Sequence, residues 1–482
     1  MAIQQNPVLR YIGRALLVGC AHYHPKTISA EKTVELFNAR SLTNAALQAF
    51  LATNHTAVPG PNDSWDLKQL TLVAFYYQPS LAEARAQLLA AQAAEITAGE
   101  RPNPSVSVTP GYDNHLPTGV SPWVVPLTFD VPLETAGKRG KRIAQATNQM
   151  ESARWNLVGT AWQVRSQIRT ALLNLYSSCQ TLALVSQQEL AQSNVVHLQE
   201  GQRAAGAISE FEVTQARTAL ENTRLARQDA IGKSKQALVD MAHALGIPTS
   251  AMSDVNFSVA PFDNFPEDLT RAEVRRDALL NRADVRGALA DYAASQSALQ
   301  IEIANQYPDV HLGPGYTWNG NQTGDSQWSL GLTVTLPILN HNEGPVAEAE
   351  AKRTQAAAHF MTVQANAVAE IDGALAGYHA ALEQVATANS LLEDSQKRLD
   401  SFRAQQKAGA AEPADVATAE VEFATSAQNR LNALVQAQQA LGRLEDAVQN
   451  PLTLPAEVLA GAVSQEPQAE VARPPSRKET AK

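Results

Sequence analysis

Aromatic side chains are scarce: Phe, Trp and Tyr make up 6% of the 482 residues. Large globular cores lean on aromatic burial, so ordinary compact domains are disfavoured, although the length would hold about two or three of them. Cysteine is scarcer still, with Cys20 and Cys179 alone, which excludes a disulfide framework. No run reaches ~18 apolar residues, which excludes a transmembrane helix but not a membrane β-barrel, whose strands are shorter and only half apolar. Net charge is -10, so the dominant basic surface that nucleic acid requires is missing. Enzyme signatures are missing too: there is no phosphate-cradling glycine loop, GxSxG, HExxH or paired CxxC. The ten histidines are scattered. His22, His24 and His341 read as isolated exposed imidazoles, not as a metal centre, and no cofactor is expected.

The two cysteines sit in different settings. Cys20 ends "RALLVGC", small residues after a weakly apolar stretch with Arg10 and Arg14 upstream, the pattern of a lipoprotein signal over residues 1–20 with Cys20 lipidated. The alternative is a plain N-terminal tail, since Ala15–Gly19 is shorter than the roughly 7–15 apolar residues of such signals. Ala21 after the cysteine fits export to an outer membrane. Cys179 falls in a coiled-coil-like stripe with Leu157, Ala161, Val164, Ile168, Leu172, Leu175 and Leu182. There it is expected to pack as a small hydrophobe.

What the chain does have is repetition. "RPNPSVSVTPGY" (Arg101–Tyr112) is echoed by "NQYPDVHLGPGYTW" (Asn305–Trp318), and the glycine-containing stretch Gly201–Leu225 by Arg403–Leu431. Pairing Pro104 with Pro308, Gly111 with Gly315, Pro132 with Pro337 and Gly206 with Gly409 gives an offset of about 204 residues, the mark of a tandem duplication. Each repeat reads as a lead-in helix (Ser80–Gly99, Asp284–Gln306), two β segments, and two further helices. The β segments are Ser105–Asp113 and Trp123–Leu133, then Asp309–Asn319 and Gln327–Ile338. After them come a helix of roughly sixty residues, a glycine break and one of about 35 residues, the longer extending on the order of 90 Å. The organisation is therefore an N-terminal helical segment over 21–79 with a helix at Ile28–Asn54, and a first repeat over 80–250 (β-hairpin 105–133, helical hairpin 137–246). A linker at 251–283 leads to a second repeat over 284–448 (β-hairpin 309–338, helical hairpin 343–447) and a disordered tail over 449–482 rich in Pro, Ala and Glu.

Four strands with open edges do not make a stable isolated sheet. "VVPLTFDV" and "LGLTVTL" alternate apolar with small or polar residues, as a wall between lipid and water would. Two copies would supply about eight strands, whose barrel fills with side chains; three supply about twelve, enough for a through-channel. The expected fold class is mainly α with a small β part: duplicated long helical hairpins in a trimeric α-barrel, continued by a 12-stranded transmembrane β-barrel with four strands per chain. A strand then runs straight into a helix because one wall leaves the membrane and enters water. The basic cluster Lys138, Arg139, Lys141 and Arg142 falls at that exit, against headgroups or the barrel rim, or as a solvated first turn.

"WDLKQLTLVAFYYQPSLAEAR", "FDVPLETAGKRGKRIAQA", "LPILNHNEGPVAEAEAKR" and the paired glycine tips resemble the TolC-type outer-membrane efflux factors, from about Trp65 to Leu452. The junction wording is most similar to the branch serving cobalt–zinc–cadmium resistance pumps. The resemblance implies a homotrimeric channel in outer-membrane lipid with a long periplasmic extension. It would conduct passively what an inner-membrane pump and a periplasmic adaptor deliver, heavy-metal cations among the substrates. The alternatives are a periplasmic adaptor, which would show one hairpin between β-rich halves, and a structural coiled-coil protein of such an assembly, which would have no use for the β segments.

The tips are the expected functional site. Gly206 and Gly409 permit chain reversal, and Ser209, Glu210, Glu212 and Glu412 follow, as adaptor-facing groups or as ordinary helix caps. A ring of acidic residues would bias an entrance toward cations. In relatives an apolar and an acidic residue of the second tip close the entrance; the matching positions, Ala414 and Thr418, depart from that chemistry, with Asp415 beside them.

Overall fold

The structure, a computed structural model, describes residues 23–449 apart from 55, 58, 61–62, 116–120, 254, 260–261, 263–264, 267–279 and 321–325. Cys20 with the signal expected over residues 1–20, His22 and the tail beyond Gln449 lie outside the described residues.

The N-terminal segment holds α1 (Ala30–Asn38), α2 (Ala45–Thr53), β1 (Ser64–Trp65) and α3 (Leu67–Tyr77). The single helix expected over Ile28–Asn54 is two. Asn44 turns its side chain back to accept from Ala46 N at 2.8 Å, and Ser41 Oγ accepts from Thr43 N at 3.1 Å. Such short polar side chains offer the backbone an alternative to helix.

Repeat one contains α4 (Pro79–Ala98), β2 (Ser105–Val108), β3 (Gly111–Tyr112), β4 (Trp123–Leu133), α5 (Lys138–Ala204) and α6 (Glu210–Leu245). A short strand, β5 (Asn256–Phe257), pairs in parallel with β1. Repeat two contains α7 (Ala283–Ala304), β6 (Val310–Asn319), β7 (Gln327–Val334), α8 (Glu343–Lys407) and α9 (Pro413–Val448). With 67 residues α5 extends on the order of 100 Å at about 1.5 Å per residue.

The helices lie side by side in columns. α5 packs on α4 and α7 near the sheet, where Thr147 Oγ1 donates to Glu95 at 2.6 Å and Asn148 meets Ser297 at 3.3 Å. Further out its neighbours are α6 and α9, with Val195 and Val196 against Ala216, Leu220 and Ala417. α8 packs on α7 and α9. The column order is α4/α6, α5, α7/α9, α8.

Each short helix stands end to end on a returning one. Gly246 closes α6 in the left-handed region at φ 73°, and Gln78, ahead of α4, donates to His243 O and Ala244 O at 2.9 and 2.7 Å. One repeat on, Arg282 ahead of α7 donates to Ala447 O at 2.7 Å, and Gln449 ends α9 at φ 50°. These contacts satisfy carbonyls that a helix end leaves orphaned.

The main apolar core sits at mid-height, where α3 buries Leu67, Leu70, Leu72, Val73 and Phe75 against α5 and the end of α6. An apolar helix of this kind is stable only when covered. The α5 stripe is buried from Leu157 to Leu175, is interrupted around Cys179, and burial resumes at Val185. Cys179, expected inside it, is exposed in the chain, 3.7 Å from Ser234 Oγ.

One antiparallel sheet carries the strand order β2/β3, β4, β6, β7. The segment expected over Ser105–Asp113 is broken at Thr109–Pro110, because Pro110 cannot donate to the ladder and β2 is an edge. Its counterpart Pro314 stays inside an unbroken β6, held on both sides by β4 and β7. The segment expected to reach Ile338 ends at Val334, ahead of Pro337 on the opposite edge.

Candidate functional site

The register of the sheet sorts its two faces. Across β4 and β6, Val125 faces Trp318, Leu127 faces Tyr316, Val131 faces Leu312 and Leu133 faces Val310; Thr128 faces Gly315 and Pro132 faces His311. Across β6 and β7 the apolar pairs continue as Leu312 with Leu332 and Tyr316 with Trp328, while Gly313 faces Gly331 and Thr317 faces Gln327. One face is thus aliphatic and aromatic, the other small and polar. The aromatic pairs Tyr112–Trp123 (5.3 Å) and Tyr316–Trp328 (4.8 Å) gather at the end far from the helices. On the polar face His311 Nδ1 lies 3.0 Å from Asp130. Such a wall suits lipid on one side and water on the other.

At the first strand-to-helix junction the basic cluster is engaged within the chain, neither reaching outward nor forming a free turn. Lys138 Nζ, buried, donates to Tyr307 O at 2.8 Å and to Asp309 at 2.9 Å. Arg139 donates to Gly99 O at 2.6 Å, Lys141 to Ala136 O at 3.2 Å, and Arg142 binds Glu134. Lys138 and Arg139 therefore tie the start of α5 to the ends of both lead-in helices, where carbonyls attract positive charge, while Lys141 and Arg142 brace the junction itself. At the second junction amides take the place of the cations: Asn342 Nδ2 donates to Glu302 O at 2.8 Å and to its carboxylate at 3.0 Å, and Gln306 to His341 O at 3.1 Å.

The two tips share one construction. Gly206 (φ 75°) and Gly409 (φ 76°) take the left-handed conformation, which costs glycine least because it has no Cβ. Ala207 N donates to Gln202 O at 2.9 Å and Ala410 N to Gln405 O at 2.8 Å, closing Schellman turns. Ser209 and Glu212 form a capping box, as do Glu412 and Asp415. The bonds from Ser209 N and Oγ hold the Glu212 carboxyl below the ordinary carboxylate range. Charge differs between the tips. At the first, Glu210 binds Arg203 and lies 3.9 Å from Arg217; at the second, Glu412 and Asp415 make no ion pair among the described residues. Gln202 Nε2 donates to Glu412 at 2.6 Å and so joins the two tips.

Ala414 is half-buried; Asp415 and Thr418 are exposed and line a groove of about 540 Å³ between α8 and α9 with Arg398, Phe402 and Glu422. Thr418 Oγ1 donates to Ala414 O at 2.9 Å.

Sequence reasoning passed over a buried charge cluster at mid-height. Glu445 of α9, fully buried, lies 2.9 Å from Arg165 and 3.3 Å from Arg169 of α5. Arg169 also donates to Gln438 O at 2.8 Å, and the Arg165 guanidinium lies 4.7 Å from the Trp162 ring centre. Asp446 accepts from Trp162 Nε1 at 2.9 Å and Ser166 Oγ at 2.6 Å, and burial raises its carboxyl above the usual range. The signal was present: Arg165 and Arg169 each sit one residue after a stripe position, Val164 and Ile168. Among the described residues no group of three or more His, Cys, Asp or Glu could hold a metal ion, and no helix is long and apolar enough to cross a membrane.

Comparison with known proteins is consistent with this geometry. The family described as Outer membrane efflux protein matches residues 76–247 and 274–448, more than half of the chain. The pyoverdine export outer membrane protein OpmQ of Pseudomonas aeruginosa is 29% identical over 175 residues, 34% of this chain and 36% of that protein. The cobalt-zinc-cadmium resistance protein CzcC of Cupriavidus metallidurans is 24% identical over 218 residues, 45% of this chain and 50% of that protein. The chain thus spans half or less of the length of these two relatives. The crystal structure of the outer membrane protein VceC of Vibrio cholerae superposes with a TM-score of 0.66 at 19% identity, over 80% of this chain and 96% of that one.

Proposed function

The chain belongs to the outer membrane efflux protein family, and from that membership we propose that three copies close into a passive efflux channel of the outer membrane. The observation that carries the reading is a sheet with one lipid-compatible and one water-compatible face, open at both edges, running directly into a layer of helical columns that is also open at both edges. A sheet and a helical layer that start from the same strands and share the same open sides close together when copies repeat around one axis. Three copies give about twelve strands, wide enough for a lumen.

In this reading the tips at Gly206 and Gly409 lie in the periplasm, where Ser209, Glu210 and Glu412 face a periplasmic adaptor that links the channel to an inner-membrane pump. The entrance falls at Ala414, Asp415 and Thr418. Glu412 and Asp415, tripled and without ion-pair partners among the described residues, favour cations there. Similarity to CzcC, named for cobalt, zinc and cadmium resistance, supports heavy-metal cations as cargo. Lipidation of Cys20 would anchor the N-terminus beside the barrel.

Mass measurement in detergent together with planar-bilayer conductance tests the proposal. A trimer with small, cation-selective openings is expected, and Asp415→Asn should reduce the selectivity. A monomer that conducts nothing would overturn it. The mass of the N-terminal peptide reports on Cys20.

A further inference from the structure

The duplication holds down to individual strand pairs. Shifting β6 by 204 residues and β7 by 205 maps the second hairpin onto the first. Val310–Val334 becomes Val106–Phe129, Leu312–Leu332 becomes Val108–Leu127, Gly315–Ser329 becomes Gly111–Val124, and Tyr316–Trp328 becomes Tyr112–Trp123. Every one of those four is an observed pair.

The same shift applied to the β4–β6 seam yields a seam that no single chain can make, between β7 of one copy and the first strand of another. Val131 opposite Leu312 becomes Leu336 opposite the partner's Val108, and Leu133 opposite Val310 becomes Ile338 opposite the partner's Val106. Val108 and Val106, on the apolar face of β2, are 53% and 57% exposed in the chain, and Leu336 and Ile338, just past the end of β7, are 65% and 69% exposed. Residues 335–338 have no strand partner among the described residues, and Ile338 N donates to Leu336 O at 2.9 Å in a turn that the extension would open.

At the junction the same operation replaces the cation of the inner joint with an anion. Lys138, buried against Asp309 inside the chain, corresponds to Glu343 at the start of α8, while Asp309 corresponds to Ser105. The linker that Glu343 would meet carries Arg101, Asn103 and Ser105, all donors. Arg101 and Glu343 are exposed and make no ion pair among the described residues. Arg139, Arg142 and Glu134 correspond to Gly344, Ala347 and Leu339, so nothing else of the inner clamp survives in the outer one.

We propose that copies of this chain join through a register-specified seam, in which residues 335–338 extend β7 along β2 of the next copy and Glu343 meets the partner's Arg101. The reversed charge keeps the two kinds of joint distinct. If α8 took the place of α5, Glu343 would face Asp309, and Lys138 would lose its acceptor. The inference rests on the reading of the assembly as a tube closed by copies, and adds which residues meet and with which polarity.

Oxidative cross-linking in membranes tests the register, in a Cys179→Ser background and against that background alone. Directly opposed positions have Cβ atoms about 4.5–5.5 Å apart and diagonal ones about 7–8 Å, and a disulfide forms only at the shorter separation. Leu336→Cys with Val108→Cys, and Ile338→Cys with Val106→Cys, should give covalent dimers and trimers. Leu336→Cys with Val106→Cys, slipped by two residues, should give at least about fivefold less. Equal linking by the slipped pair, or a trimer that links with none of them, would overturn the register while leaving the tube standing. A monomer would overturn the tube itself. For the charges, Glu343→Arg and Arg101→Glu should each lower the trimer fraction in detergent, and the double variant should restore it; a double variant no better than the singles would overturn the reversed pair.

Discussion

At the scale of single residues, the least replaceable group is Glu445. It is fully buried between Arg165 and Arg169, and the Arg165 Nε and Nη1 atoms have no hydrogen-bond partner among the described residues. A buried ion cluster is weak evidence for stability as a whole, but removing one member strands the opposite charge. Glu445→Gln should destabilise the protein by about 3–5 kcal/mol, read as a lowered unfolding midpoint in detergent. Its neighbour Asp446 behaves in the opposite sense. Burial raises its carboxyl, so between its unfolded and folded titration ranges the native state holds the extra proton. The stability it contributes is full below the unfolded range and is lost as pH rises through the folded one. Asp446→Asn should therefore flatten the fall in stability above the ordinary carboxylate range; an unchanged slope in pH-dependent melting would show that other groups cause it.

Elements meet end to end as well as side by side, and glycine decides where. A Cβ on Gly246 would lie 3.1 Å from Tyr77 O and 3.2 Å from Tyr77 C, whereas one on Gly206 would meet nothing within 4 Å. Both residues are left-handed, at φ 73° and 75°, so an alanine at either carries about 1–2 kcal/mol of backbone strain. Only Gly246→Ala also pushes α4 off the end of α6. It should lower the unfolding midpoint more than Gly206→Ala does, and equal losses would mean that the end-to-end joint bears no load. Arg40 braces the same joint, donating to Tyr77 O at 3.0 Å and Gly246 O at 2.8 Å.

For the whole molecule, the two faces of the sheet make opposite predictions from adjacent residues. Leu127 belongs to the apolar face and Thr128 to the polar one. Leu127→Lys places a charge toward lipid at a cost of about 2–4 kcal/mol near the midplane and should reduce the amount recovered in the outer membrane. Thr128→Lys should insert normally and weaken cation preference in bilayer conductance. Equal tolerance of both would mean that the sheet does not line a membrane pore.

Much of this protein was legible because its signals are local. Strand alternation has a period of two, so the faces could be read from "VVPLTFDV" and "LGLTVTL" before any pairing was known. The tips were legible because left-handed glycine and a polar cap are the cheapest way to reverse a helix, and the duplication printed each signal twice. What the tertiary structure alone decided is which surfaces are covered. The stripe on α5 runs past Leu175 in sequence, yet Cys179 within it is exposed while Val185, Val195 and Val196 beyond it are buried again. Arg165, Arg169 and Glu445 look like solvated charges until α9 is laid against α5. Helical periodicity names a face, but only the neighbouring column determines whether water reaches it.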